Sequence, residues 1–302
     1  LEIITLLHLL LAYIKYKPNL VHHFTIKPCI YGGSLARIVG IKNTINHITG
    51  LGPSFFSSRV KINFLNKIFK PIYRYSFNNK KNNLINIFHN ESDRYSFIQK
   101  GITSPEKTKT IEGSGVDTEI FKNIKSKSFN KKVQILFPAR IIKEKGIIEL
   151  IEACNELWNE KYKFTLNIAG EIDKQNRSHL KKNVFETLVD NPNIYFLGKC
   201  MNMVEIYKKM DIVVLPSWRE GLSKSLLESA SMSLPIITTN APGCNDVITD
   251  QFSGIIVPVR DKVKLKIAIK KYLENPKSAL NFGKNARKTI VKKFTHKIIN
   301  KK

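Results

Sequence analysis

Two glutamates, Glu220 and Glu228, stand eight residues apart in the stretch "SWREGLSKSLLESASMSLPIITTNAPGCNDVI", Ser217–Ile248. Between them lie Gly221, Leu222, Ser223 and Lys224. An apolar run, Asp211–Pro216, comes just before, so the acids fall where a strand gives way to a loop and a helix. Arg140 and Lys145 follow a similar run, Val133–Ala139. Arginine offers a phosphate planar paired donors, and lysine offers a point charge. A helix starting near Gly221–Lys224 adds free amides and partial positive charge. Glycine at 221 permits close backbone approach. Carboxylates repel phosphate but accept from sugar and ribose hydroxyls. The set therefore suits a nucleoside diphosphate joined to a sugar. Taken singly, each residue has a plainer reading: a surface cation, a solvated acid, a turn glycine. Their joint placement at strand ends carries the chemistry.

That placement needs a scaffold, and the sequence alternates as a parallel one should. In the first half, Leu20–Phe24, Asn43–Ile48, Leu84–His89 and Lys107–Ile111 read as strands. Helices read over Cys29–Gly40, near Arg59–Tyr75, and over Ser92–Gly101 with Ser92 as cap. Lys122–Lys132 carries five lysines and no apolar period, which reads as a linker. Beyond it come strands at Val133–Ala139, Lys163–Gly170, Asn193–Gly198, Asp211–Pro216 and Leu234–Thr239. A helix over Lys145–Leu157 turns Ile148, Ile151 and Leu157 to one face, and helices at Lys264–Leu273 and Pro276–Phe294 finish the chain. Strands alternating with helices predict α/β domains whose parallel sheets are covered on both faces. The expected organisation is a Rossmann-like domain over 1–121, a linker over 122–132, and a second Rossmann-like domain over 133–302, with a cleft between. Ligands in such sheets lie beyond the carboxyl ends of the strands.

Composition narrows the partners. The 302 residues are 42% hydrophobic and 25% charged, normal for a folded protein. The net charge of +26 is not normal. Lysine outnumbers arginine more than four to one and is scattered. That argues against a nucleic-acid groove, which would cluster arginine and aromatics. It leaves a solvated surface, or attraction to an anionic membrane or substrate. Cys29, Cys154, Cys200 and Cys244 are far apart, so neither a disulfide framework nor a zinc site is expected, and a reducing, cytoplasmic compartment is. No Walker lysine loop, HExxH or Asp-x-Asp occurs. Ile3–Ile14 is apolar but too short to span a bilayer, and reads as a buried helix entered midway.

"FPARIIKEKGIIELIEA", "LNIAGE", "YFLG" and the Asp211–Ile248 stretch resemble the family-4 retaining glycosyltransferases of the GT-B fold. Glu220 to Glu228 matches their E-x7-E motif. "PNLVHHFTIKPCIYG", "NHITGLG" and "GSGVDTEIF" resemble a subgroup building bacterial surface polysaccharides and glycans. The resemblance implies that Arg140 and Lys145 hold the diphosphate as it leaves. It implies that Glu220 contacts the transferred sugar and that the backbone of Gly221, Leu222 and Ser223 lies against sugar and phosphate. Glu228 would hold the ribose, and Lys199 to Met201 would flank the base, commonly uridine. His47 would lie near the reacting sugar, with His22 and His23 as weaker candidates. No cofactor and no metal are implied, Arg140 and Lys145 standing in for a cation. A UDP-sugar donor, a glycan or polyprenyl-linked acceptor, and peripheral binding to the inner face of the cell membrane complete the expectation. The family's opening glycine-rich loop has no counterpart before Leu20, which implies that the first strand–helix units are missing. Two alternatives follow: a truncated, non-catalytic nucleotide-binding relic, or a sugar-nucleotide epimerase. The epimerase would need a second carboxylate-rich loop, and none is visible.

Overall fold

The computed structural model describes residues 2–51, 70–78, 83–122, 128–129, 132–173, 175–176 and 178–302. The chain divides into two compact units, Leu1–Gly113 and Ser114–Lys302, each built on a parallel sheet.

The first unit runs α1 (Glu2–Tyr16), β1 (Leu20–Phe24), α2 (Ile26–Val39), β2 (Asn43–Ile48), helical residues 70–77, β3 (Asn83–Phe88), α3 (Glu91–Gln99) and β4 (Thr108–Thr110). Its strands pair in parallel in the order β1-β2-β3-β4. The remainder of the helix expected from Arg59 lies outside the described residues. The cap of α3 is Asn90, not Ser92: the Asn90 side chain accepts from the Asp93 amide at 2.8 Å.

Burial on both faces, expected for this sheet, does not hold. Strands β1, β2 and β3 alternate between buried and more exposed residues. The buried face mixes apolar packing with a polar ladder. His23 Nδ1 meets Asn46 Oδ1 at 2.8 Å, and Asn46 Nδ2 donates to Asn86 Oδ1 at 3.1 Å. Asn86 in turn donates to Thr103 Oγ1 at 2.9 Å, while Tyr13 Oη meets His23 Nε2 at 2.7 Å. A buried polar row stays stable only when its members are paired, as here.

Helix α1 also departs from expectation. It is a helix, but only Tyr13 is buried. Ile3, Ile4, Leu7, Leu11 and Ile14 are all more than half exposed. Their spacing places them together on one face. No helix among the described residues is long and apolar enough to cross a membrane.

The second unit contains β5 (Val133–Phe137), α4 (Ile147–Asn159), β6 (Phe164–Ala169), α5 (Lys182–Leu188), β7 (Ile194–Gly198) and α6 (Met203–Lys209). It continues with β8 (Ile212–Leu215), α7 (Lys224–Ser231), β9 (Ile236–Thr239), β10 (Ile255–Val257), α8 (Lys262–Glu274), α9 (Pro276–Lys293) and α10 (His296–Ile299). All its strand pairs are parallel, in the order β10-β9-β8-β5-β6-β7. Strands β6, β8 and β9 are buried throughout, as sheets covered on both faces require. Helix α4 buries Ile147, Leu150, Ile151, Ala153, Cys154 and Leu157, with Ile148 only half-buried. Its outer acids Glu152, Glu156 and Glu160 form a ladder with Lys262, Lys266 and Lys270 of α8. Strand β10 was not expected from the sequence, because three residues, Ile255–Val257, are too few to show a period.

The boundary also falls earlier than position 121. Residues 114–121 belong with the second unit: the Val116 amide donates to Phe294 O at 2.9 Å. The Ser231 hydroxyl donates to Phe121 O at 2.6 Å, and Arg287 donates to the carbonyls of Phe121 and Thr118 at 3.1 and 3.3 Å. Most of the expected linker, 122–132, lies outside the described residues.

Candidate functional site

In the second unit β5 lies between β8 and β6, so the order of successive strands reverses there. The crevice beyond the carboxyl ends of β5 and β8 is where this topology places a ligand. The β5–α4 loop carries Arg140 and Lys145, and the β8–α7 loop carries Glu220 to Ser223.

The two loops are joined by side chains. Lys145 Nζ pairs with Glu220 Oε1, each side chain only 15% exposed. The Trp218 amide donates to Glu144 O at 2.8 Å and the Ser217 hydroxyl donates to the same oxygen at 3.1 Å. The loop after β9 locks onto the second of them: the Glu220 amide donates to Pro242 O at 3.0 Å, and the Ser223 amide to Gly243 O at 2.9 Å. The Ser223 amide is therefore already used, so the Gly221–Lys224 stretch does not present free donors throughout. The first-turn amides of α7, from Lys224 onward, are left to point out of the helix end.

Glu228 lies on α7 and is buried. Its Oε2 accepts from Tyr207 Oη at 3.2 Å, and Lys224 Nζ stands 3.8 Å from Oε1. Burial pushes its carboxyl pKa up, against the opposing pull of Lys224 and Tyr207. A half-dry carboxylate with accepting capacity left suits a hydroxyl donor.

Arg140 points the other way along its loop. It pairs with Asp173, and its side chain is largely exposed. It lines a cavity of about 730 Å³ together with Gly170, Asp173, Lys199, Cys200 and Met203. Arg140 and Lys199 thus share a wall. Met201 does not join them: it is 88% exposed and lies outside the cavity lining, where Cys200 and Met203 stand instead. Sequence reading also missed Asp173 and Tyr207. Both meet partners on other elements, 33 and 21 residues away, with no local spacing to reveal them.

In the first unit His47 is the last residue but one of β2, and its Nε2 lies 3.0 Å from Nε2 of His89. His22 stacks on the His47 ring at 5.7 Å and 2°. His23 is on the buried face with both ring nitrogens engaged, so it belongs to the core rather than to a site. His89 was missed, since it lies 42 residues from His47 in sequence. Burial lowers the His47 pKa, with a smaller push from His22. Burial, then His47, lowers His89 from 6.5 to about 4. The sign of the pH effect follows. Above pH 6.5 both folded and unfolded His89 are neutral and its contribution is complete. Below it the unfolded chain takes up a proton that the folded chain refuses, so stability falls. The expected loss between about pH 7 and about pH 5 is at most about 2 kcal/mol. Urea midpoints at both pH values should show it, and His89→Gln should flatten the slope. An unchanged slope in the variant would remove His89 as the cause.

With this geometry in place, comparison with known proteins is decisive for the family. The profile described as "Glycosyl transferases group 1" matches residues 119–289, more than half of the chain. The chain belongs to this family. Group 1 relatives include the capsular polysaccharide biosynthesis glycosyltransferase CapM of Staphylococcus aureus, 29% identical over 57% of this chain and 45% of that protein. Another is the N,N'-diacetylbacillosaminyl-diphospho-undecaprenol alpha-1,3-N-acetylgalactosaminyltransferase of Campylobacter jejuni, 26% identical over 79% of this chain and 63% of that one. The chain thus spans roughly half to under two thirds of the length of these relatives. Anabaena HepE, solved in complex with UDP, superposes with a TM-score of 0.78 at 18% identity, over 98% of this chain and 79% of HepE. The fold is GT-B.

Proposed function

We propose that this chain carries the donor side of a retaining glycosyltransferase that moves a sugar from a nucleoside diphosphate, most simply UDP, to a lipid-linked or glycan acceptor in surface-polysaccharide synthesis. The Lys145–Glu220 pair at the β5/β8 crevice is the observation that carries this reading. A cation and an acid bridging two loops at the reversal point can part around a ligand, the amine turning to diphosphate and the carboxylate to sugar hydroxyls. Lys199 would flank the base, Arg140 would reach the diphosphate from the same wall, and Glu228 would hold the ribose. The first-turn amides of α7 would face phosphate. Lys145 and Arg140 would supply the charge that a metal would otherwise bring to the leaving group. His47 would stand by the reacting sugar. With no nucleophile assigned, the acceptor hydroxyl would attack from the face the diphosphate leaves, retaining the anomeric configuration.

The acceptor class draws support from the Campylobacter relative, whose name specifies a diphospho-undecaprenol. A lipid-linked acceptor and a net charge of +26 together favour peripheral attachment to an anionic membrane face.

Calorimetric titration of the chain with UDP tests the donor site. UDP is expected to bind, and Glu228→Ala to weaken it by roughly 10- to 100-fold through loss of a charge-assisted hydrogen bond. A folded chain that binds neither UDP nor another nucleoside diphosphate would defeat the proposal.

A further inference from the structure

Charge in the second unit is not evenly compensated. The ladder between α4 and α8 neutralises Lys262, Lys266 and Lys270. From Asn275 to Lys302 there are eight lysines, one arginine and no acid at all. On α9, Lys284, Lys288 and Lys292 recur every fourth residue and are all exposed, so they line one face. Among the described residues no carboxylate pairs with any of the three. Together with Ser233, Arg287 and Val291 they line an open depression of about 510 Å³.

Its position separates it from the donor crevice. Ser233 lies in the turn entering β9, at the amino end of that strand. Helix α9 sits tightly on this turn: a Cβ at Gly283 would lie 2.3 Å from Ser233 O. The donor loops leave the carboxyl ends of β5 and β8, the opposite edge of the same sheet. The depression therefore serves something other than the nucleotide.

We propose that Lys284, Lys288 and Lys292, with Val291 between them, form the docking face for an anionic phospholipid bilayer. This deepens the peripheral attachment proposed above and rests on it. Three ammonium groups about 6 Å apart along a helix lying flat meet a plane of headgroups without needing fixed partners. Val291 is 46% exposed at their centre and gives the face an apolar point. A nucleic acid fits less well. Arg287 spends its guanidinium on the carbonyls of Thr118, Phe121 and Ser231, and the residues lining the depression include no aromatic ring on which a base could stack.

The test is sedimentation of the 302-residue chain with vesicles of phosphatidylcholine alone or with phosphatidylglycerol added, at low and high salt. Binding is expected only to the anionic vesicles, and high salt should release it. Lys284→Glu/Lys288→Glu/Lys292→Glu should weaken it roughly 100-fold. A charge-matched control, Lys15→Glu/Lys17→Glu/Lys42→Glu, should cost far less, and Leu7→Asp/Leu11→Asp on α1 should leave the anionic preference intact. UDP titration of each variant reports folding and keeps the donor reading separate. Equal losses in the α9 variant and the matched control would overturn the assignment. So would unchanged vesicle binding in the α9 variant, or retention on duplex DNA without any on vesicles. No vesicle binding by the parent chain would overturn membrane attachment itself, while leaving the nucleotide site standing.

Discussion

Lys145→Ala is expected to weaken UDP binding by about 30- to 150-fold and to leave uridine binding within about twofold, because a charged hydrogen bond contributes about 2–3 kcal/mol. The split follows from where Lys145 sits. Its amine lies at the end of the short 3-10 turn Lys143–Lys145, facing the β8–α7 loop, where it meets Glu220. The cavity proposed for the nucleoside is lined by other residues, Lys199 and Cys200 among them. Removing the amine takes a cation from the diphosphate and also leaves the mostly buried Glu220 carboxylate unopposed. That acid would then repel the phosphates, adding to the loss. Glu220→Gln in the same background should recover part of the affinity by removing the repulsion. Lys145→Arg should recover less than full affinity, since a planar fork does not replace a compact charge in a fixed crevice. Calorimetry with UDP and uridine reads all of these. Equal losses for both ligands would place Lys145 away from the phosphates.

The second sheet was legible because its strands are nearly unbroken apolar runs. "ILF", "FTLNIA", "IVVL" and "IITT" are strands buried on one or both faces, and the chemistry-bearing residues follow their ends. The first sheet was misread on its faces, although the period of two was present in "LVHHF" and "NLINIF". Val21, His23, Leu84, Asn86 and Phe88 point inward, and the polar members go unnoticed until their partners are seen. Helix α1 was read as buried from its apolar content alone. Composition states that a helix has a hydrophobic face, not that something covers it. Among site residues, Lys145, Glu220 and Glu228 stood out through spacing. Met201 was named with Lys199 through the resemblance, yet two positions along the turn its side chain is turned to solvent and leaves the wall that Lys199 and Cys200 line. Asp173, Tyr207 and His89 were invisible because contacts between elements far apart in the chain leave no mark in local sequence.

Gly146 is the other residue whose importance only the structure reveals, and Gly146→Ala is expected to destabilise the second unit by about 2–6 kcal/mol. Two independent costs add. Gly146 has φ +72°, the left-handed region, where a non-glycine residue costs about 1–3 kcal/mol. A Cβ there would also lie 2.1 Å from the carbonyl oxygen of Pro216, a backbone atom that cannot swing aside. Overpacking of that kind costs about 1–3 kcal/mol more. The close approach has a use. It lets the β5–α4 loop rest against the start of the β8–α7 loop, where Trp218 N and Ser217 Oγ both donate to Glu144 O. That contact brings Lys145 within reach of Glu220. Relief of the clash by moving the loops apart would lengthen the Lys145–Glu220 separation. The urea midpoint should therefore fall, and whatever folded protein remains should bind UDP less tightly than the parent. A variant with parental stability would show that the two loops tolerate separation, and that the pairing of Lys145 with Glu220 does not depend on Gly146.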